Sequence, residues 1–189
     1  AKSFPIYFTI IAVGVGIGAA TNTLIGNSIG EKKEREASLY IAQSLIFSCV
    51  ISVFVTLFGL NASNFLLKVM GSNFDGIVLT RKYLDIIFYG TFIVLIQISL
   101  NGTLNAQGDT KSYRNSLIFS FFLNILLNPL FIWGYGIIPG FGISGLAIAT
   151  IISQLIGTIY LAYKVNNCKI REFLKPECFI PKLRFLKYL

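Results

Sequence analysis

Histidine is absent from all 189 residues, which removes Ser-His-Asp and Cys-His nucleophilic sites, histidine zinc sites and a histidine proton switch. Charge is scarce as well. Asp, Glu, Lys and Arg make up 13% of the chain, against about 25% in soluble domains, and this excludes an ordinary soluble globular protein. The cysteines are few and badly placed for pairing: Cys49 lies within an apolar run, while Cys168 and Cys178 lie in a basic tail. Neither a disulfide framework nor a zinc site is supported, which leaves reduced thiols. The net charge of +8 does not point to nucleic acid, because the basic residues gather between and after apolar runs, where juxtamembrane positive charge belongs. No nucleophile, base and oxyanion donors can be assembled, so neither catalysis nor a cofactor is expected.

What the chain does contain is apolar. Hydrophobic residues make up 54% of it, and the mean hydropathy is +0.72. They fall into five runs, 6–29, 37–60, 83–106, 115–138 and 143–163, each close to the ~20 residues that cross a hydrocarbon core of roughly 30 Å as a helix. The runs are continuous, whereas barrel strands alternate apolar and polar residues. The first is too long for a signal-peptide core and leads directly into further spans. The expected fold class is all-α, a polytopic membrane protein with five transmembrane helices.

Orientation follows from Lys and Arg in alternate connections. Lys2, Lys68, Arg81 and Lys82 lie on one side, and the remaining twelve of the 16 basic residues lie on the other. Residues 30–36, 107–114 and 164–189 are therefore expected in the cytoplasm of a multi-pass cell-membrane protein, with residue 1 outside. An outside start with no anchor before it predicts at least one upstream helix. Residues 166–189 mix apolar and basic positions broken by Pro176 and Pro181. They read as an amphipathic connector along the cytoplasmic interface toward a further membrane domain, with 1–165 as one membrane domain, or else as an amphipathic C-terminal anchor.

Polar side chains in hydrocarbon need partners, so they are the informative positions. Gln97, Asn101 and Asn105 stand four apart on the third helix, Asn124 and Asn128 on the fourth, and Thr150 and Gln154 on the fifth. Residues four apart share a helix face. These stripes either glue helices together or converge on a hydrophilic path. Asp85, near Arg81 and Lys82, is expected to form an ion pair at the outer interface. Gly14, Gly18, Gly26 and Gly30 form a small-residue pattern suited to close helix approach. Pro129 follows Asn128 and withholds a backbone donor, as at a kink, an ion site or a hinge.

Three stretches carry a resemblance. Gly26-Asn-Ser-Ile-Gly30 before Ala37, Asn105-Ala-Gln-Gly-Asp-Thr-Lys111, and Asn124-Ile-Leu-Leu-Asn-Pro-Leu-Phe-Ile-Trp-Gly134 with Gly142-Ile-Ser-Gly-Leu-Ala-Ile-Ala-Thr150 resemble successive signatures of the multidrug and toxic compound extrusion (MATE) transporters. The resemblance implies that the five spans are helices two to six of a six-helix N-terminal lobe, with the first helix and the C-terminal lobe outside this chain. It also implies export of cationic or amphipathic small molecules in exchange for sodium ions or protons, by alternating access between lobes. Asn124 and Thr150 match the family's N-lobe cation pattern. Asn128 stands where that pattern has Asp, so it offers a neutral carbonyl oxygen and no proton of its own. Gln97, Asn101, Asn105 and Gln154 are then candidates for a substrate path.

Two other readings remain. One is a lipid-linked oligosaccharide flippase of the same wider superfamily, whose cavity should carry Lys or Arg for phosphate groups; the span interiors contain none. The other is a membrane interaction subunit that transports nothing, its polar stripes filled by neighbouring helices.

Overall fold

The computed structural model describes residues 4–69, 74–134 and 139–168. Its elements are five α-helices: α1 Phe4–Gly30, α2 Glu34–Val69, α3 Phe74–Ala106, α4 Thr110–Trp133 and α5 Ile143–Asn166. All five are long and apolar enough to cross a membrane. The all-α, five-span expectation is therefore met. The amphipathic connector falls almost wholly outside the described residues.

Several boundaries differ from the hydropathy reading, for identifiable reasons. The fourth span begins at Thr110 rather than 115 because Asp109 caps it: the carboxylate accepts from the Ser112 N–H at 3.0 Å and from Ser112 Oγ at 2.5 Å. The same bonds to Ser112 hold the Asp109 carboxyl below its usual range. At the other end α4 stops at Trp133, where Gly134 at φ 77° donates back to the Leu130 carbonyl at 3.1 Å. Helices α2 and α3 extend past the expected limits 60 and 83, because polar residues outside the bilayer core end an apolar run without ending a helix. Pro129 gives no N–H to the last turns of α4, yet the helix runs through it.

The turns at one end of the bundle are compact. After α1, Lys33 N–H reaches the Ser28 carbonyl at 2.8 Å over Lys32, which has φ 57°. After α3, Asp109 N–H reaches the Leu104 carbonyl at 2.9 Å over Gly108 at φ 81°. Both follow the helix-ending pattern in which one left-handed residue lets the chain turn back on its last carbonyls.

Helix α3 is the pillar of the bundle, packed against α1, α2 and α5, whereas α4 rests mainly on α5. Close approach is achieved with glycine. Gly14 and Gly18 face Ile98, and a Cβ on Gly18 would lie 2.8 Å from Ile98 Cγ2. Gly102 returns the contact, since a Cβ there would lie 2.5 Å from the Gly18 carbonyl oxygen. Gly26 and Gly30 depart from the expectation: a Cβ on either would meet nothing within 4 Å. They sit on a face of α1 with no close neighbour among the described residues.

Two apolar clusters fill the bundle. One joins Ile25, Ile41, Leu100, Leu104, Leu161 and Val165, and the other joins Ile10, Leu84, Ile87, Phe88 and Ala147. Arg81 and Asp85 form the expected i, i+4 ion pair, with Nε 3.6 Å from Oδ2.

Candidate functional site

The seam between α4 and α5 is antiparallel. Ser120 Oγ donates to the Ser153 carbonyl at 3.1 Å, and Gly145 abuts the Phe131 carbonyl. Asn124 and Asn128 lie between those two levels on α4, and Thr150 lies between them on α5. The seam therefore places all three candidate ligands in one stretch.

Two of the three donate to their own helices. Asn124 Nδ2 donates to the Ser120 carbonyl at 3.2 Å, and Thr150 Oγ1 donates to the Leu146 carbonyl at 2.9 Å. Their side-chain oxygens keep acceptor capacity. Asn128 Oδ1 is buried and has no hydrogen-bond partner among the described residues. A buried unpaired carbonyl oxygen is costly, about 1–3 kcal/mol, and it can be satisfied by a donor or by a hard cation, which takes oxygen ligands. Among the described residues no three Asp, Glu, His or Cys gather, so a cation held here would rely on neutral oxygens.

The proposed path residues separate. Gln154 is half-buried and its Nε2 donates to Tyr7 Oη at 3.1 Å, joining α5 to α1. Gln97 is only 5% exposed. Its amide lies where α3, α4 and α5 meet: a Cβ on Gly157 would be 2.9 Å from Gln97 Nε2, 2.7 Å from Ser116 Oγ and 3.1 Å from Ser120 Oγ. Gln97 thus belongs to a packed junction rather than an open path. Asn101, one turn further, is half-buried with its Oδ1 unpartnered. Asn105 is half-buried at the end of α3, its carbonyl taken by Gly108 N–H at 2.9 Å.

Two features escape a reading based on amides and carboxylates. Tyr7 is one, because nothing in the sequence pairs it with a residue 147 positions away. The other is a ladder of serines, Ser112, Ser116 and Ser120, which are the buried residues of α4. Its signal was present, since the three stand four apart and mark the face of α4 that meets α5. Hydroxyls join other helices too: Ser99 Oγ donates to Ser44 Oγ at 3.1 Å, and Thr56 Oγ1 donates to the Phe88 carbonyl at 2.8 Å.

Comparison with known proteins agrees with the five-helix fold. The chain is 31% identical over 182 residues to the probable multidrug resistance protein YoeA of Bacillus subtilis, covering 92% of this chain and 39% of that protein. It is 26% identical over 161 residues to the FAD transporter of Shewanella oneidensis, covering 85% and 36%. A solved inward-facing structure of a multidrug resistance MATE family transporter superposes with a TM-score of 0.89 at 29% identity, over 99% of this chain and 42% of that one. The chain thus spans about two fifths of the length of these relatives. Residues 1–130 match the MatE family, and the chain belongs to that family of membrane transporters.

Proposed function

We propose that this chain forms helices two to six of the N-terminal lobe of a multidrug efflux antiporter in the cell membrane. That antiporter exports cationic or amphipathic compounds in exchange for sodium ions or protons by alternating access. Residues 30–36, 107–114 and 164–189 face the cytoplasm in this reading, and the first helix and the C-terminal lobe belong to the same protein. The observation that carries it is the buried, unpartnered Asn128 Oδ1 in the stretch of seam shared with Asn124 and Thr150. An oxygen cluster without a carboxylate suits sodium better than a proton, because none of its members titrates near neutral pH. Asn101, Asn105 and Gln154 contribute to the path, and Pro129, next to Asn128, is the hinge.

The test uses the full-length protein in proteoliposomes with a cationic dye and an imposed sodium or proton gradient. Efflux should follow the sodium gradient and fall at least about tenfold in Asn128→Leu. Efflux indifferent to both gradients would sink the coupling proposal.

A further inference from the structure

On the other side of the α4–α5 seam from the Asn124 and Asn128 face, a crevice of about 360 Å³ is lined by Asn115, Ser116, Phe119, Ile156, Gly157 and Tyr160. Residues 115 and 119 project about 180° around the α4 axis from residues 124 and 128 at 100° per residue, so that wall of the crevice lies on the opposite side of α4. The crevice has the size of a small-molecule site, and its walls are apolar with few polar groups. One of those groups is unsatisfied: Ser116 is 2% exposed, and its Oγ has no partner among the described residues.

Positive charge stands at its rim. Lys164 Nζ lies over the ring of the lining residue Tyr160, 5.8 Å from its centroid. The Arg114 guanidinium donates to Oδ1 of the lining residue Asn115 at 3.4 Å. Neither head is in an ion pair among the described residues. Asp109 lies within electrostatic reach of Lys164, but its carboxylate is occupied with Ser112. Both cations sit at the end of the bundle that carries the Gly108 turn, where the bilayer surface begins.

We propose that this crevice binds an anionic phospholipid. One acyl chain lies against Phe119 and Ile156, the glycerol ester region accepts from Ser116 Oγ, and the phosphate is held between Arg114 and Lys164. An apolar slot in the membrane with two cations at its mouth and a buried donor on its floor matches that molecule in sequence along its length. A zwitterionic lipid would fill the slot and gain less at the rim.

The experiment is native mass spectrometry of the full-length protein, delipidated in detergent and titrated with phosphatidylglycerol or phosphatidylcholine of the same acyl chains. Phosphatidylglycerol should be retained more tightly. Arg114→Gln with Lys164→Gln should cut that preference by about fivefold per charge removed and leave phosphatidylcholine unchanged. Arg114→Gln with Lys164→Arg should keep part of it. Ile156→Trp, which fills the slot from a partly exposed position, should weaken both lipids. The proposal fails if the wild type retains the two lipids equally, as it would were the crevice covered by another part of the chain. It fails equally if the double glutamine variant keeps the full preference, or if inorganic phosphate binds at the rim while Ile156→Trp leaves lipid retention intact.

Discussion

Helices α3 and α4 are similarly apolar, and their situations are opposite. In the most apolar 18 residues of α3, 56% are buried among the described residues, against 11% in α4. Helix α3 meets its neighbours through Gly90 and Gly102, where a Cβ would lie 2.6 Å from Ile151 and 2.5 Å from the Gly18 carbonyl. Helix α4 contains no glycine. It meets α5 through serines and leaves Phe121, Phe122, Ile125 and Leu126 exposed. In lipid there is little hydrophobic force between helices, and small residues decide where backbones approach. Apolar content therefore places a helix in the membrane, and the small and polar residues place it within the bundle. The helix buried among the described residues carries the packing, while the one held by fewer of them carries Asn124, Asn128 and Pro129.

The comparison breaks most visibly at Gly102. Leucine there would collide with the Gly18 backbone, which has no side chain to move aside, so Gly102→Leu should cost about 3 kcal/mol or abolish folding. Phe122→Leu on the exposed face of α4 should stay within about 0.5 kcal/mol. Thermal unfolding of the full-length protein in detergent measures both, and equal effects would show that α4 is packed as tightly as α3. Next in size is Asn128→Leu. Replacing a half-buried amide whose buried Oδ1 lacks a partner by an apolar side chain of similar size is close to neutral for stability. The melting temperature should hold while ion-driven efflux falls at least about tenfold. A parallel loss of stability would reassign Asn128 to packing.

Much of α3 and α4 was legible in the sequence, but unevenly. Continuous apolar runs gave the five helices because transfer to lipid depends on composition alone. The Arg81–Asp85 pair was legible because i, i+4 geometry is local. Helix ends were less so: the Asp109 cap and the Gly108 turn are local signals too, but a hydropathy window reports the bilayer core rather than the backbone bonds beyond it. The side of α4 that faces α5 was hidden from apolar periodicity, since Leu117, Ile118, Phe119 and Phe121 surround the helix, and only the serine spacing marks it. Gly26 and Gly30 show the reverse case, a small-residue spacing that meets no neighbour within 4 Å among the described residues. The Tyr7–Gln154 bond and the burial of Gln97 depend on how distant helices meet, which no local pattern encodes.

A smaller effect sharpens the contrast between bonded and unbonded hydroxyls. Ser99 and Ser44 bond across α2 and α3, so a double-mutant cycle of Ser44→Ala and Ser99→Ala should return a coupling of about 0.6 kcal/mol, the average for such bonds in membranes. Ser116→Ala, which removes a hydroxyl without a protein partner, should be neutral or slightly stabilising in lipid-free detergent. A cost at Ser116 matching the Ser44–Ser99 coupling would mean that α4 is bonded where the structure leaves it open.

The smallest effect concerns how α4 begins. Ser112 holds the Asp109 carboxyl below its ordinary value of 3.8, so the folded protein releases that proton more readily than the unfolded chain does. The stabilisation is therefore fully present above about pH 4 and is lost as pH falls through the depressed folded value. Asp109→Asn keeps a good cap and removes the charge. It should lower stability by roughly 0.3 kcal/mol at pH 7, the scale of one charge at an exposed helix N-terminus, and by progressively less as the pH is lowered through 4. Ser112→Ala should raise the carboxyl toward its ordinary value and move the wild-type loss to higher pH. Melting curves of the three proteins between pH 3 and 7 make the comparison. If the wild type and Asp109→Asn stay parallel across that range, the carboxylate is not what anchors the α4 N-terminus, and the serine ladder alone holds that end of the helix on α5.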